Sequence, residues 1–292
     1  MKNNREEKIH EKILEILKEI IRICDENNIM YYAACGTCLG AVRHKGFIPW
    51  DDDIDLVMPI DDYKKFRKIA KTELEDPFEL IDSMDKTRSK NMYCKVHNKN
   101  TTLIEKFDFD YPERYKGVFV DVFPISGCPV GKIKKKIYLG KLSFLSKMNF
   151  IKNLHMKERI SFKSKVFWIL MKPFCLFKEN NYYVKKWEKE LSKYKFCKDN
   201  DVVFPWRMPL KPPHSNVFKY EWFNGCTTVD FENIKINIPK DYVNYLKADF
   251  GEYMKLPEPE KRTSGHNIAF FDDNTPCDYY KKHQDEIIEK GV

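Results

Sequence analysis

Apolar residues recur at helical spacing through residues 9–28, where Ile9, Ile13, Ile16, Leu17, Ile20, Ile21 and Cys24 share one face with Glu and Lys between them. That period predicts an amphipathic helix with one buried stripe. Asp25-Glu26-Asn27-Asn28 ends it, and the apolar run 29–35 reads as a strand broken by Gly36. A second helix is expected over 37–43, with Thr37 as its cap. A turn containing Gly46 and Pro49 leads to 51–58, where Ile54, Leu56 and Met58 alternate with Asp53, Asp55 and Val57. Alternation of that kind is a strand, here with a polar face near its start. Asp61 is the expected cap of a helix over 62–71.

Further along, 93–96 and 101–105 read as a hairpin turning at Asn98-Lys99-Asn100, and GVFVDVF (117–123) as an apolar strand with one acid inside it. The segment 131–200 reads as helical, broken at Gly140 and Pro173. A strand over 233–238 and a helix over 242–250 precede an irregular tail rich in Pro, Asp and Tyr. Strands interleaved with helices give an α/β (α+β) class, a mixed sheet flanked by helices. Three parts are expected: a core over 1–130, a mainly helical basic elaboration over 131–220, and a C-terminal part over 221–292.

Composition removes several alternatives. With 42% hydrophobic and 14% aromatic residues in 292, the chain can offset its conformational entropy, so disorder is excluded as its dominant state. The net charge of +8 is modest but unevenly placed. Between 131 and 200, 19 Lys and Arg stand against 5 Asp and Glu, while the rest of the chain holds 33 against 39. An acidic body with one basic segment is not the profile of a uniformly basic protein. The lysines of that segment lie among Phe, Leu, Ile and Trp at helical spacing and form no stacking platform, so no nucleic acid is expected. Two readings of the segment stand level: a helical elaboration with a solvated lysine face, and a peripheral membrane surface built with Phe162, Phe167, Trp168, Phe174 and Phe177. The longest apolar run, 166–177, is interrupted by Lys172 and Pro173 and falls short of the roughly 18 residues a span needs. The beginning MKNNREEKIHEK shows no apolar signal region, and nine scattered cysteines read as reduced thiols. A cytoplasmic location is expected, with contact to the inner face of the membrane if the second reading of the basic segment holds.

The chemistry centres on Asp51, Asp52, Asp53 and Asp55. In an extended chain Asp53 and Asp55 project to one face while Ile54 projects to the core. Carboxylates a few ångströms apart repel, and such a pair persists where a cation neutralises it. Oxygen-only ligation suits Mg²⁺ or Mn²⁺, which also bind substrate phosphates. Asp121, inside an apolar strand, would be costly unpaired; beside the Asp53/Asp55 strand it completes a metal site or takes a proton from an attacking hydroxyl. Upstream, Gly36-Thr37 at the start of a helix faces backbone amides toward an anion. Arg43, His44 and Lys45 form a compact basic cluster, and Arg43 can grip a phosphate bidentately. Against this stands an acidic surface turn at 51–53 with its charges paired to nearby bases.

The stretch CGTCLGAVRHKGFIPWDDDIDLVMPIDDYKKF (35–66) resembles the signature of the LicD family, phosphotransferases related to the fukutin-type proteins. Looser likenesses are KVHNKNTTLIE (95–105) and YLKADFGEYMKLPEPEKRTSGH (245–266), the latter with Phe250 where Tyr is commoner. The resemblance implies a nucleotidyltransferase-like core with Asp53, Asp55 and Asp121 as metal-binding and catalytic acids. It also implies Lys261, Arg262 and His266 as diphosphate contacts beside Gly36, Thr37, Arg43, His44 and Lys45. The implied reaction moves a phospho-alcohol from a CDP-alcohol donor, CDP-choline above all, to a hydroxyl of a glycan such as teichoic acid or lipopolysaccharide or of a lipid-linked precursor, with loss of CMP. Two rivals remain: a nucleotidyltransferase that adds NMP to a sugar, protein or RNA and releases pyrophosphate, and a basic RNA- or membrane-binding module.

Overall fold

The apolar stripe of the first 26 residues becomes a long helix on one side of a mixed sheet. The computed structural model describes residues 4–85, 91–154, 162–207, 216–263 and 267–289. Its first half runs α1 (Asn4–Glu26), β1 (Tyr32–Ala33), α2 (Cys35–His44), β2 (Asp55–Pro59), α3 (Ile60–Glu73), β3 (Phe78–Ile81), β4 (Cys94–Asn98), β5 (Thr102–Glu105), β6 (Phe119–Cys128) and α4 (Lys132–Asn153). Its second half runs α5 (Phe162–Leu176), α6 (Tyr182–Leu191), β7 (Asp201–Val203), β8 (Val217–Phe218), β9 (Cys226–Phe231), β10 (Ile234–Pro239), α7 (Tyr242–Phe250), β11 (Ile268–Asp272), α8 (Cys277–Tyr280) and α9 (Gln284–Glu289). This is the expected α+β class.

The main sheet has the order β1-β2-β6-β4-β3, with β7 pairing the far end of β6 and β8 pairing β7. Only β2 and β6 run parallel in it, and the other neighbours are antiparallel. All ten residues of β6 are buried, which its continuous apolar sequence demands of a central strand. Strand alternation divides the sheet into two faces. Leu56, Cys94, Val96, Val120 and Val122 are fully buried on one of them, where Tyr63 of α3 lies beside Cys94. On α1, Ile9, Ile13, Ile16, Leu17, Ile20 and Cys24 are no more than 1% exposed. The other face carries the polar residues described below.

Several boundaries differ from the sequence expectation. The strand expected over 51–58 begins at Asp55, after a turn in which the Asp51 N–H donates to the Ile48 carbonyl. Thr37 does not cap α2; the helix starts at Cys35 with Ala34 at its cap, and the Thr37 hydroxyl is engaged elsewhere. Asp61 lies in the first turn of α3, whose cap position is Pro59. The 93–105 hairpin does not form. β4 has β3 on one edge and β6 on the other, so β5 is turned away and pairs with β11 from the far end of the chain. Gly140 and Pro173 lie inside α4 and α5 and break neither. A solvent-facing glycine costs a helix only about 1 kcal/mol, which packing outweighs.

His97 on β4 is buried, and its Nδ1 accepts the Gly117 N–H at 3.2 Å. Burial first, then the ammonium groups of Lys281 and Lys116, holds its pKa down to about 4 against an ordinary 6.5. The unfolded chain therefore takes up this proton first, so the stability His97 contributes is complete above pH 6.5 and is lost as pH falls toward 4. The expected loss over that window is about 3 kcal/mol. Urea unfolding as a function of pH checks this, because His97→Asn keeps an acceptor for Gly117 and flattens that part of the profile.

Candidate active site

β2 and β6 pair with Asp55 directly opposite Asp121, and β4 pairs on the other side of β6 with Lys95 opposite Asp121. Opposed residues on neighbouring strands project to the same face, so Asp55, Asp121 and Lys95 form a row across three strands. Asp121 is 3% exposed and Lys95 6%, and the Lys95 ammonium is ion-paired with Asp121 Oδ1. The same Nζ sits 3.6 Å from the centre of the Phe119 ring, which gives the buried cation a second favourable contact.

Asp53 lies in the irregular segment just ahead of β2. The negative charges of Asp121, Asp55, Glu105 and Asp53 all bear on the hydroxyl of Tyr93, two residues before Lys95. Together with burial, the larger cause, they push that phenol well above its ordinary value of 10. The three acids singled out in the sequence are thus all within electrostatic reach of one hydroxyl. A tighter cluster is also present: one carboxylate oxygen from each of Asp51, Asp52 and Asp53 lies within 4.8 Å of the others, all three side chains being half-buried. Asp53 is common to both groups.

The first turn of α2 abuts this cluster. A Cβ on Gly36 would stand 2.6 Å from Asp51 Oδ2, so the absence of a side chain lets that carboxylate lie against the helix N-terminus. An anion there is favourable, and Asp51 takes the position the sequence assigned to a phosphate. Thr37 Oγ1 accepts the Asp55 N–H at 2.8 Å, which fixes the start of β2. Tyr245 of α7 accepts the Cys35 N–H at 2.8 Å, and the buried Asp249 of the same helix is held by a bidentate pair with Arg207 at 2.8 and 2.7 Å. The C-terminal stretch 245–250 therefore anchors the N-terminus of α2.

Two cavities flank the acids. One, of 510 Å³, is lined by Gly36, Arg43, Trp50, Asp51, Tyr253 and Lys261 among others. The second, of 520 Å³, is lined by Tyr93, Lys95, His97, Glu105, Arg114 and Lys116 among others. Arg43 donates through Nη1 to the Tyr253 carbonyl and through Nε to His44 Nε2, both at 2.9 Å. Burial and the charge of Arg43 lower the pKa of His44, so the ring stays a neutral acceptor. The Arg262 guanidinium lies 5.6 Å from the centre of the Trp50 ring and donates to the Pro257 carbonyl. Lys45 is exposed and its charge bears on Asp230 of β9, outside the first cavity. His266 lies outside the described residues.

Sequence reading had not selected Lys95, Tyr93, Tyr245 or the Arg207–Asp249 pair. The signal for the first two was the alternation Tyr93-x-Lys95-x-His97 in a strand whose intervening residues, Cys94 and Val96, are apolar. A lysine on the polar side of a strand ordinarily faces water.

The sequence profile of the LicD/FKTN/FKRP nucleotidyltransferase domain matches residues 28–167, which hold α2, β2, β6 and every acid of the row. The chain is 28% identical over 271 residues to the lipopolysaccharide cholinephosphotransferase LicD of Haemophilus influenzae, covering 87% of this chain and 93% of that protein. Shorter matches reach uncharacterized proteins of Rickettsia typhi, 40% identical over 57 residues (20% of this chain, 18% of that one), and Rickettsia prowazekii, 46% over 44 (15% and 16%). Residues 28–167 are thus similar to the LicD-family domain, and the likeness to the Haemophilus protein extends well beyond them.

Removing one partner of a buried ion pair leaves the other charge desolvated, which costs about 3–5 kcal/mol. Lys95→Met is expected to destabilise the fold at neutral pH by about 3 kcal/mol. Chemical denaturation of Lys95→Met, Asp121→Asn and the double variant checks it: the double variant should be more stable than the sum of the two single losses predicts.

Proposed function

We propose that this protein is a metal-dependent phosphotransferase that moves a phospho-alcohol, phosphocholine from CDP-choline foremost, onto a hydroxyl of a cell-surface glycan or its lipid-linked precursor and releases CMP. The observation that carries the reading is Asp55 set opposite Asp121, with Asp53 just ahead of the same strand and all three charges bearing on the Tyr93 hydroxyl. The name of the Haemophilus relative supplies the direction of the proposal, toward choline phosphate and lipopolysaccharide.

The donor set fits a hard divalent cation. All the groups are carboxylates, and their mutual repulsion would fall on binding one. Asp53 and Asp55 would hold Mg²⁺ or Mn²⁺, with Asp121 either a third ligand or the base. When bound, the cation supplies Lewis-acid stabilisation of the charge that grows on the diphosphate. The chain's own residues do the rest. Arg43 and Lys261 line the first cavity and suit the diphosphate of the donor. The second cavity meets the row at Lys95 and suits the acceptor. Attack of the acceptor oxygen forms a new P–O bond at the phosphorus bearing the alcohol and breaks the bond to the bridging oxygen, which leaves with CMP. The hydroxyl proton passes to a carboxylate, and the ion pair with Lys95 orients Asp121 when Asp121 is the base. CDP-alcohols are products of cytoplasmic metabolism, so the reading places the reaction in the cytoplasm.

Purified protein with Mg²⁺ or Mn²⁺, a cell-envelope extract as acceptor, and CDP-choline, CDP-glycerol, CDP-ribitol, CTP and ATP in parallel tests this. CMP release from one CDP-alcohol is expected, abolished by chelation and restored by metal. Asp53→Ala and Asp55→Asn are expected to lower it by about 10³-fold with the fold intact. Pyrophosphate release from a triphosphate would replace this reading with the nucleotidyltransferase one, and absence of both would end it.

A further inference from the structure

Exposed apolar surface is concentrated in one part of the molecule. Of the sixteen large apolar side chains exposed among the described residues, ten lie between 130 and 177. On α4, Ile133, Ile137 and Phe144 are 77%, 67% and 49% exposed, while Tyr138, Leu142, Leu145 and Met148 of the same helix are buried. At 100° per residue those three exposed positions fall on one stripe, with Lys136 and Lys147 along one side of it and Lys134 and Lys141 along the other. All four lysines are exposed, Lys141 of them ion-paired with Glu190. On α5, Val166, Ile169, Leu170 and Phe174 are exposed, and so is Phe177 just past its end. Phe174 and Phe177, two of the five aromatics of the membrane-surface reading, are thus exposed, while the side chains of Phe162, Phe167 and Trp168 lie outside the described residues.

Charge identifies what covers this surface. From 132 to 178 the chain has 13 Lys and Arg and a single acid, Glu158. An exposed apolar face of this size ordinarily marks a binding surface, and a cationic border turns it toward an extended anionic one. α5 has 15 residues, about 22 Å of helix, shorter than a bilayer's hydrocarbon core. None of the described helices is long and apolar enough to cross a membrane.

We propose that α4 and α5 dock on an anionic lipid bilayer, seating their exposed apolar side chains in the headgroup region while the flanking lysines bind lipid phosphates. The C-terminal end of α4 reaches the second cavity, because Arg114 in its lining donates to the Asn153 carbonyl at 3.4 Å. Where the phosphotransferase reading holds, docking would bring that cavity close to the bilayer that carries a lipid-linked acceptor.

The test uses the full chain and vesicles alone, without donor or acceptor, so failure of the phosphotransferase reading leaves it decisive and the reverse also holds. The protein is expected to sediment with phosphatidylcholine vesicles containing phosphatidylglycerol, to stay in solution with phosphatidylcholine alone, and to be released as salt is raised. Ile169→Asp with Phe174→Asp should weaken binding by about tenfold or more, and Lys134→Glu with Lys136→Glu by about tenfold, with unchanged circular dichroism because all four side chains are exposed. The proposal is overturned if the wild type ignores anionic vesicles, if it binds both vesicle types alike, or if the apolar variants bind as well as the wild type. It is equally overturned if light scattering shows a dimer that Phe174→Asp dissociates while vesicles remain unbound, since the face then belongs to a second copy.

Discussion

The parallel pairing of β2 with β6 is the constraint on which the rest of the structure depends. It sets Asp55 beside Asp121 in the middle of a sheet, where two carboxylates repel through a medium far less polarisable than water. Such a row stands only if positive charge is supplied, and Lys95 on the next strand supplies part of it. The surroundings then serve to hold the row still. β6 is buried along its whole length, and α1 and α3 pack against the sheet. Thr37 ties the first residue of β2 to α2. Rigidity of this kind is what an electrostatic site requires, because charges placed before the reaction need no reorganisation during it.

The same logic explains why residues 245–250 belong with a site built from the first half of the chain. α7 has no acid in the row, yet its Tyr245 hydroxyl accepts the first N–H of α2 and its Asp249 is clamped by Arg207. These contacts fix α2, and α2 in turn carries Gly36 under the Asp51 carboxylate. A buried, hydrogen-bonded aspartate–arginine pair adds little net stability over an apolar pair of the same volume, but it allows few alternative arrangements. In this fold its effect is positional.

Much of the framework was legible in the sequence because it rests on local periodicity. The stripe of α1, the alternation at Ile54–Leu56–Met58 and the apolar run around Asp121 each follow from one segment and its burial. What was not legible rests on which segments meet. β4 and β5 read as a hairpin because their spacing allows one, but β6 and β3 take both edges of β4 and leave β5 to β11. Lys95 was missed for the same reason: its partner is 26 positions away, and only strand register shows that they face each other. Thr37 read as a helix cap because its type favours that role, whereas the N–H it accepts comes from a strand 18 residues on. The acids stood out by type and spacing, and only strand register shows that Asp55 faces Asp121. The turn at 51–53 stood in the sequence only as the alternative to a strand, and that it gathers the carboxylates of Asp51, Asp52 and Asp53 depends on its folded geometry.

The uneven charge of the chain also resolves into two separate physical tasks. The acid row works through near contacts in a poorly polarisable interior, where pairs such as Lys95 with Asp121 are little affected by salt. Most of the described lysines of 131–200 are exposed, so each charge acts through water and fades within about 8 Å at physiological ionic strength. The net +8 therefore says little about what the cleft binds, and the cleft's local acidity says little about how the molecule meets a surface. Substitutions of the acid row and of the exposed apolar positions on α4 and α5 should therefore combine additively. Raising salt should separate them as well, weakening long-range attraction at α4 and α5 while leaving the geometry of Asp55, Asp121 and Lys95 in place.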